Sequence, residues 1–122
     1  MDDGKPLFLQ IAELIESSII DGSLQEEAKA PSTNELATFH RINPATAAKG
    51  INHLVTGGVL YKKRGIGMFV SPGARNTIKS RRREQFAENY IDPLIAEARK
   101  LGITASDLQI LIQQREERHD QQ

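Results

Sequence analysis

Two signals for the start of a helix stand only eleven residues apart in the first half of the chain. Ser32-Thr33-Asn34-Glu35 has the S-x-x-E pattern of a capping box, in which the serine hydroxyl and the glutamate carboxylate each accept from a backbone N–H of the first turn. Asn43-Pro44 joins a favoured N-cap residue to a proline at the first helical position. This spacing leaves room for one short helix and a tight turn before the next helix begins, so it predicts a helix-turn-helix unit.

The segments around this unit add a helix and a hairpin. Residues 6–21 are predicted to form a first helix, because Pro6 suits its first position and Gly22 suits the residue just past its end. After a short extended connector and the helix-turn-helix, residues 59–63 and 68–70 have the pattern of two strands around a tight turn. This order is that of a winged helix-turn-helix, so we predict a mainly α fold with a small β-hairpin. Ser71-Pro72-Gly73 breaks the chain and predicts two domains, 1–72 and 73–122.

The second predicted domain is a short two-helix region. Its first helix is interrupted by Pro93, which must kink or restart it, and its second begins at Thr104. About 45 residues in two helices cannot form an independent core, so their apolar stripe must pack on the first domain, on a second copy, or on both. Since two-fold dimers are the commonest soluble oligomers, we predict a homodimer. The predicted dimerisation residues are Phe86, Tyr90, Ile91, Leu94, Ile95, Leu108, Leu111 and Ile112.

The distribution of charge indicates an anionic partner. The chain carries 16 basic and 16 acidic residues, yet residues 36–83 contain ten of the bases and no Asp or Glu. In a winged helix-turn-helix the third helix lies in the DNA major groove with its first turns against base edges, and the hairpin reaches phosphates or the minor groove. The acid-free window covers both of these elements. Charge and element order, considered separately, therefore both favour double-stranded DNA as the partner.

Several other classes of function find little support in the sequence. The absence of cysteine excludes thiolate nucleophiles, disulfides and cysteine-based metal sites. No nucleophile–base pair is evident and the three histidines are dispersed, so we expect no enzyme, no metal site and no cofactor. Without a visible signal peptide or membrane span, we expect a cytoplasmic protein that does not bind a membrane. Two alternatives stay open: a winged-helix protein-interaction module, which needs an apolar outer face on the third helix, and a non-specific or RNA-binding architectural protein.

Several short motifs resemble one family of regulators. They are Lys5-Pro6-Leu7, Ala30-Pro31-Ser32, Glu35-Leu36-Ala37, Ile42-Asn43-Pro44 with Thr46, and Lys63-Arg64-Gly65-Ile66-Gly67-Met68-Phe69-Val70. Together they resemble the DNA-binding domain of GntR-type bacterial transcription regulators. The Ile-Asn-Pro opening of the third helix and the short C-terminal region are most similar to the YtrA subfamily. We therefore expect a homodimeric repressor of a palindromic operator, and the resemblance implies frequent control of a neighbouring transporter operon.

The predicted DNA contacts come from this resemblance and from the order of elements. The resemblance implies that Ser32 caps the second helix near a phosphate, that Asn43, Thr46 and Lys49 begin the recognition helix, and that Arg64, Gly65 and Gly67 form the wing tip. Lys62, Lys63 and His53 are added from their positions on the wing and on the outer face of the third helix. The full predicted set is Ser32, Asn34, Asn43, Thr46, Lys49, His53, Lys62, Lys63, Arg64, Gly65 and Gly67.

The chain departs from the family pattern at positions that matter for base readout. Asn34 stands where relatives usually have an arginine that contacts DNA, Ala45 replaces a larger polar residue, and Met68 replaces a threonine. The first two changes remove candidate base contacts, so affinity is expected to rest more on phosphates and DNA shape. The basic run 81–83 is either a second phosphate patch or the solvated start of a helix. A small-molecule effector is compatible with a dimer interface, although no residue identifies one.

Overall fold

The computed structural model of the chain describes residues 4–121. Its elements, in chain order, are α1 Leu7–Asp21, α2 Thr33–His40, α3 Pro44–Thr56, β1 Leu60–Lys63, β2 Gly67–Val70, α4 Ala74–Phe86, a π-helical segment Ala87–Ile91, α5 Asp92–Lys100 and α6 Ala105–Asp120. This order confirms the predicted mainly α fold with a winged helix-turn-helix. Within residues 4–121, no helix combines the length and the apolar character that crossing a bilayer requires.

The two helix-start signals act in the structure as the sequence predicts. Ser32 Oγ accepts from the backbone N–H of Glu35 at 3.1 Å, and Glu35 Oε1 accepts from the backbone N–H of Ser32 at 3.0 Å. Asn43 Oδ1 accepts from the backbone N–H of Ala45 at 2.8 Å, and a proline occupies the first turn of α3. These caps satisfy N–H groups that have no partner inside the helix, which fixes where α2 and α3 begin.

The core of the first compact unit draws on every element up to α4. Helix α1 packs on α3, and α3 packs on α2 and β1. The largest fully buried side chains are those of Ile11, Ile19, Leu54, Val59, Leu60, Val70 and Ile78. Burial of one such side chain contributes about 1.5–3 kcal/mol. Because these residues come from α1, α3, both strands and α4, the position of α3 and of the hairpin depends on the whole unit.

The connector between α1 and α2 pairs with the hairpin, a contact that the sequence analysis did not predict. The backbone N–H of Ala30 donates to the carbonyl of Met68 at 2.8 Å. Lys29 forms an antiparallel bridge with Phe69 on β2. The connector thus covers the edge of β2 that β1 does not use, and an edge covered in this way cannot pair with another chain.

The first compact unit extends to Arg81, beyond the end of the predicted first domain at residue 72. Ala74 and Ile78 of α4 belong to the buried core cluster. Arg81 pairs with Glu16 of α1, which is only 5% exposed. A buried carboxylate needs a partner of opposite charge, so this ion pair binds the middle of α4 to α1. The break at 71–73 ends the hairpin but not the core, and the units divide between Arg81 and Arg82.

The second compact unit begins within α4 and continues through α5 and α6. Before Pro93 the helix widens into the π-helical segment, in which the N–H of Asp92 donates to the carbonyl of Ala87. A proline ring clashes with the carbonyl of the preceding turn, and the wider turn gives it room. Helix α5 then restarts with Pro93 in its first turn, which confirms the predicted interruption. Among the described residues of this unit, Ala98 is the one buried hydrophobic side chain.

Candidate nucleic-acid interface

One face of α3 is polar, exposed and free of acidic residues. The opposite face, with Ala47, Ile51 and Leu54, is buried in the core. The exposed residues at the cap and on the outer face are Asn43, Ala45, Lys49, Asn52, His53 and Thr56, and Thr46 is half-buried. A protein-interaction module would need an apolar outer face, and these residues do not provide one. Amide, hydroxyl, imidazole and ammonium groups are the kinds of side chain that contact phosphates and base edges.

Two of the predicted contacts on α3 lie against one aromatic ring of α1. Lys49 Nζ is 4.3 Å from the centroid of the Phe8 ring. The His53 ring meets the same ring edge-on, with 5.9 Å between centroids and 74° between planes. A β-carbon added to Gly50 would lie 3.0 Å from the carbonyl oxygen of Phe8, so glycine at this position allows α1 to approach α3 closely. The ring therefore holds an ammonium and an imidazole on the same exposed face.

The N-terminus of α2 carries the predicted contacts Ser32 and Asn34, which are both exposed. The Ser32 hydroxyl accepts from the backbone N–H of Glu35 in the cap, and the Ser32 side chain also hydrogen-bonds to the Glu35 carboxylate. The hydrogen bond from the backbone N–H of Ser32 lowers the pKa of the Glu35 carboxyl from its usual value. Because the Glu35 carboxylate already occupies part of this helix end, the N-terminus of α2 attracts a further anion less than an uncapped one would.

The hairpin presents its bases at the tip and on both of its faces. In the register of the two strands Lys63 lies opposite Gly67. Gly65 has φ +77° in the exposed turn, a conformation that glycine adopts at least cost. Lys63 Nζ lies 4.2 Å from the centroid of the Phe69 ring. Because successive residues of a strand point to opposite faces, Lys62 does not share this face with Lys63. Arg64 is exposed at the tip itself.

Lys29 is a basic residue of the wing that the sequence analysis missed. Its backbone bridges to Phe69, and its side chain crosses Gly67, where an added β-carbon would lie 2.9 Å from Lys29 Cε. In the sequence Lys29 follows Glu26 and Glu27 and so falls in an acidic stretch. Only the pairing of the connector with β2 reveals its place beside the wing. A strand signal of alternating residues in the connector is too short to have predicted that pairing.

The two acids before Lys29 are engaged within the unit. Glu27 Oε2 accepts from the Tyr61 hydroxyl at 2.7 Å, and this hydrogen bond raises the pKa of the tyrosine. Glu26 Oε1 accepts from the backbone N–H of Gly73 at 2.7 Å, just before α4. Neither acid belongs to a metal centre: within residues 4–121, no group of three or more potential His, Asp or Glu ligands could hold an ion.

Two bases of the acid-free window serve the fold. Arg75 Nε donates to the carbonyl of Ile20 at the end of α1, at 2.9 Å. Arg81 is paired with the buried carboxylate of Glu16. The sequence left open whether the run 81–83 contacts DNA, and the first arginine of that run is committed to α1. The positive charge of the window is therefore shared between packing and the exposed surface.

The residues predicted to form a dimer interface lie at the surface of the second unit. Phe86, Tyr90, Leu94, Ile95, Leu111 and Ile112 are exposed, and Ile91 and Leu108 are half-buried. The Phe86 and Tyr90 rings lie 5.5 Å apart. Leu101 and Ile110, which the sequence analysis did not single out, are also exposed. Apolar surface of this kind is available for a partner.

Comparison with known proteins relates the chain to one family. A sequence profile described as "Bacterial regulatory proteins, gntR family" matches residues 7–70, from α1 to the end of β2. The HTH-type transcriptional repressor YtrA of Bacillus subtilis (strain 168) is 28% identical over 84% of this chain and 78% of its own length. A crystal structure of a GntR-family transcriptional regulator from Bacteroides thetaiotaomicron is 33% identical, with a TM-score of 0.80 over 93% of this chain and 98% of that one. A crystal structure of AraR(DBD) in complex with operator ORX1 is 32% identical, with a TM-score of 0.54 over 58% of this chain and 93% of that one.

Proposed function

Because the chain belongs to the gntR family of bacterial regulatory proteins, and is a regulator of the YtrA type, we propose that it acts as a homodimeric repressor. It is a DNA-binding transcriptional regulator, and in this proposal it occupies a palindromic operator in the cytoplasm and blocks transcription. The observation that carries the proposal is the exposed, acid-free face of α3, on which Lys49 and His53 lie against Phe8. The name of the relative YtrA as a repressor supports repression as the outcome.

DNA binding would use α3 and the wing together. The first turns of α3 would enter the major groove, with Asn43, Thr46 and Lys49 nearest to the bases and phosphates. Lys63 and Arg64 would reach the phosphate backbone from the wing. Since phosphate contacts supply affinity without reading sequence, and Asn34 offers no charge, sequence selection would depend on few base contacts and on DNA shape.

Dimerisation would use the second unit. Its apolar side chains lie mostly at the surface, and a second copy of the same unit would cover them with an identical patch. Such a two-fold dimer would present two α3 helices to half-sites about one helical turn apart, roughly 34 Å. The resemblance to YtrA-type regulators also supports control of a neighbouring transporter operon.

Selection of binding sites from random duplexes tests the proposal. We expect the recovered sequences to share a short inverted repeat. The purified chain should then bind that duplex at least about a thousandfold more tightly than a scrambled duplex at the same salt concentration. Equal affinity for the two duplexes would contradict operator recognition and would favour a non-specific architectural protein.

A further inference from the structure

We propose that Phe8 is a positioning residue for DNA recognition: its ring orders Lys49 and His53 on α3 before DNA arrives. This inference rests on the proposed function, because it assumes that the outer face of α3 meets DNA. Phe8 lies on α1 and is half-buried, and no motif of the sequence marked it as functional. Its side chain contacts two of the exposed residues that the proposed docking requires.

The geometry around the ring fits an ordering role. Lys49 Nζ lies 4.3 Å from the ring centroid, within the distance at which an ammonium is attracted to an aromatic face. His53 approaches the ring in an edge-on arrangement, which aromatic pairs favour. Lys49 and His53 are four residues apart, so both lie on one side of α3 and share the ring between them.

An ordered lysine binds at a lower entropic cost than a free one. A lysine side chain loses more rotamer freedom on immobilisation than most other side chains. A contact that restricts these rotamers in the free protein removes part of that loss from the binding step, which is how preorganisation increases affinity. The contact with Phe8 leaves the ammonium exposed, so Lys49 remains able to reach a phosphate.

Gly50 shows separately that α1 and α3 approach each other closely at Phe8. Its position on α3 is buried, and a β-carbon there would lie 3.0 Å from the Phe8 carbonyl oxygen and 3.3 Å from Ile11 Cγ2. Glycine in a helix interior lowers helix stability relative to alanine, so this close approach has a cost. What the approach achieves is a fixed distance between the backbone of Phe8 and the turn of α3 that carries Lys49 and His53.

The main alternative is that Phe8 only fills space at the edge of the core. Space filling requires apolar volume, which leucine also supplies, whereas ordering a cation requires an aromatic ring. Phe8→Leu therefore separates the two roles, and Phe8→Tyr keeps the ring. Phe39→Leu is the matched control, because Phe39 is 81% exposed on α2 and is outside the proposed interface.

Affinity is measured for the duplex recovered by site selection and for a random-sequence duplex of the same length. We expect F8L to bind the selected duplex about threefold to tenfold more weakly, and F8Y and F39L to bind as the wild type does. The same F8L change introduced into a K49A/H53A double variant should cause no further loss. F8L with wild-type affinity, or an equal loss in the double variant, would overturn the proposal.

A spectroscopic measurement on the unmodified protein completes the test. The ε-methylene protons of Lys49 should resonate upfield of those of Lys100, because the ammonium nitrogen next to them lies over the Phe8 ring. Equal shifts would overturn the proposal whatever the stability of F8L. If K49A/H53A itself binds both duplexes like the wild type, docking through α3 and the positioning role both fail. If K49A/H53A weakens binding and F8L does not, only the positioning role fails.

Discussion

The two compact units of the chain differ in where their apolar side chains lie. Up to Arg81, apolar residues from three helices, the hairpin and the start of α4 form one buried cluster. From Arg82 onward, most of the large apolar residues are exposed, including Phe86, Tyr90 and Ile112. The first unit thus has a buried core of its own, whereas the second leaves most of its large apolar side chains at the surface.

The same comparison separates the two parts of the proposed function. A unit with a complete core can hold α3 and the wing in fixed positions, which DNA recognition requires. A unit with exposed apolar surface can join two copies of the chain, which a palindromic site requires. Substitutions that act differently on the two units can test this assignment.

The largest expected effect follows from a substitution in the core of the first unit. Leu54→Ala removes a side chain of α3 that is 1% exposed, and it should lower the free energy of unfolding by about 2–5 kcal/mol. Urea unfolding followed by circular dichroism measures this loss. Leu111→Ala is the same change at a residue that is 43% exposed. At dilute protein concentration it should lower the free energy of unfolding far less than Leu54→Ala does. Equal losses would contradict the contrast between the units.

A charge placed on α6 should break the dimer without unfolding the first unit. Leu111→Asp puts a carboxylate into the predicted apolar interface, and an unpaired buried charge is strongly unfavourable. We expect the dimer dissociation constant to rise at least about tenfold in sedimentation equilibrium. Gln113→Asp adds the same charge at an exposed polar position of α6 and should leave dimerisation unchanged. A dimer equally weakened by both changes, or by neither, would place the interface elsewhere.

A methyl group at the α1–α3 contact should have a smaller effect. Gly50→Ala favours the helical backbone by up to about 1 kcal/mol, but it forces the Phe8 carbonyl to move from 3.0 Å. We expect overpacking to prevail, with a net loss of about 1–2 kcal/mol in the free energy of unfolding. Thermal or urea unfolding shows whether the substitution lowers or raises the free energy of unfolding. A stabilised variant would show that α1 can shift away from α3 at little cost.

The smallest expected effect concerns the pH dependence of stability. It involves the capping boxes, of which each unit contains one. Glu35 in the first unit and Asp107 in the second both have a lowered pKa. The main cause is the hydrogen bond that each carboxylate accepts from the backbone N–H of its N-cap residue, Ser32 or Thr104. A carboxyl whose pKa is lowered on folding stabilises the folded state at neutral pH, and that contribution is lost as the pH falls through its folded value. The doubly substituted E35Q/D107N chain should therefore lose less stability than the wild type between about pH 7 and pH 3. Identical acid dependence of the urea midpoint would contradict a role for either cap.

Local signals predicted the elements of the first unit well. The capping box at Ser32, the Asn43-Pro44 start and the glycines after α3 each act within one turn of chain, so a sequence pattern is sufficient to locate them. The family and the winged helix-turn-helix followed from their order. Exposure of Lys49 and His53 followed from helical periodicity and that of Arg64 from the predicted turn, although their contact with DNA stays a prediction.

Long-range contacts were not predicted. The pairing of Lys29 with Phe69 joins residues forty positions apart, and nothing in either segment specifies the other. The ion pair of Arg81 with Glu16 forms because α4 packs against α1. The charge pattern of the sequence does not show this packing, so it placed Arg81 with the other bases of the acid-free window. Because the first part of α4 packs in the core of the first unit, that unit ends at Arg81 and not at residue 72.

The salt dependence of DNA binding tests the central claim most directly. Lys49→Ala and Arg64→Ala should each weaken binding to the selected duplex and reduce the slope of log affinity against log salt by about one unit. Lys100→Ala, which removes a base from α5 in the second unit, should change neither quantity. If K49A and R64A both keep the affinity and the salt slope of the wild type, the account given for α3 and the wing is wrong.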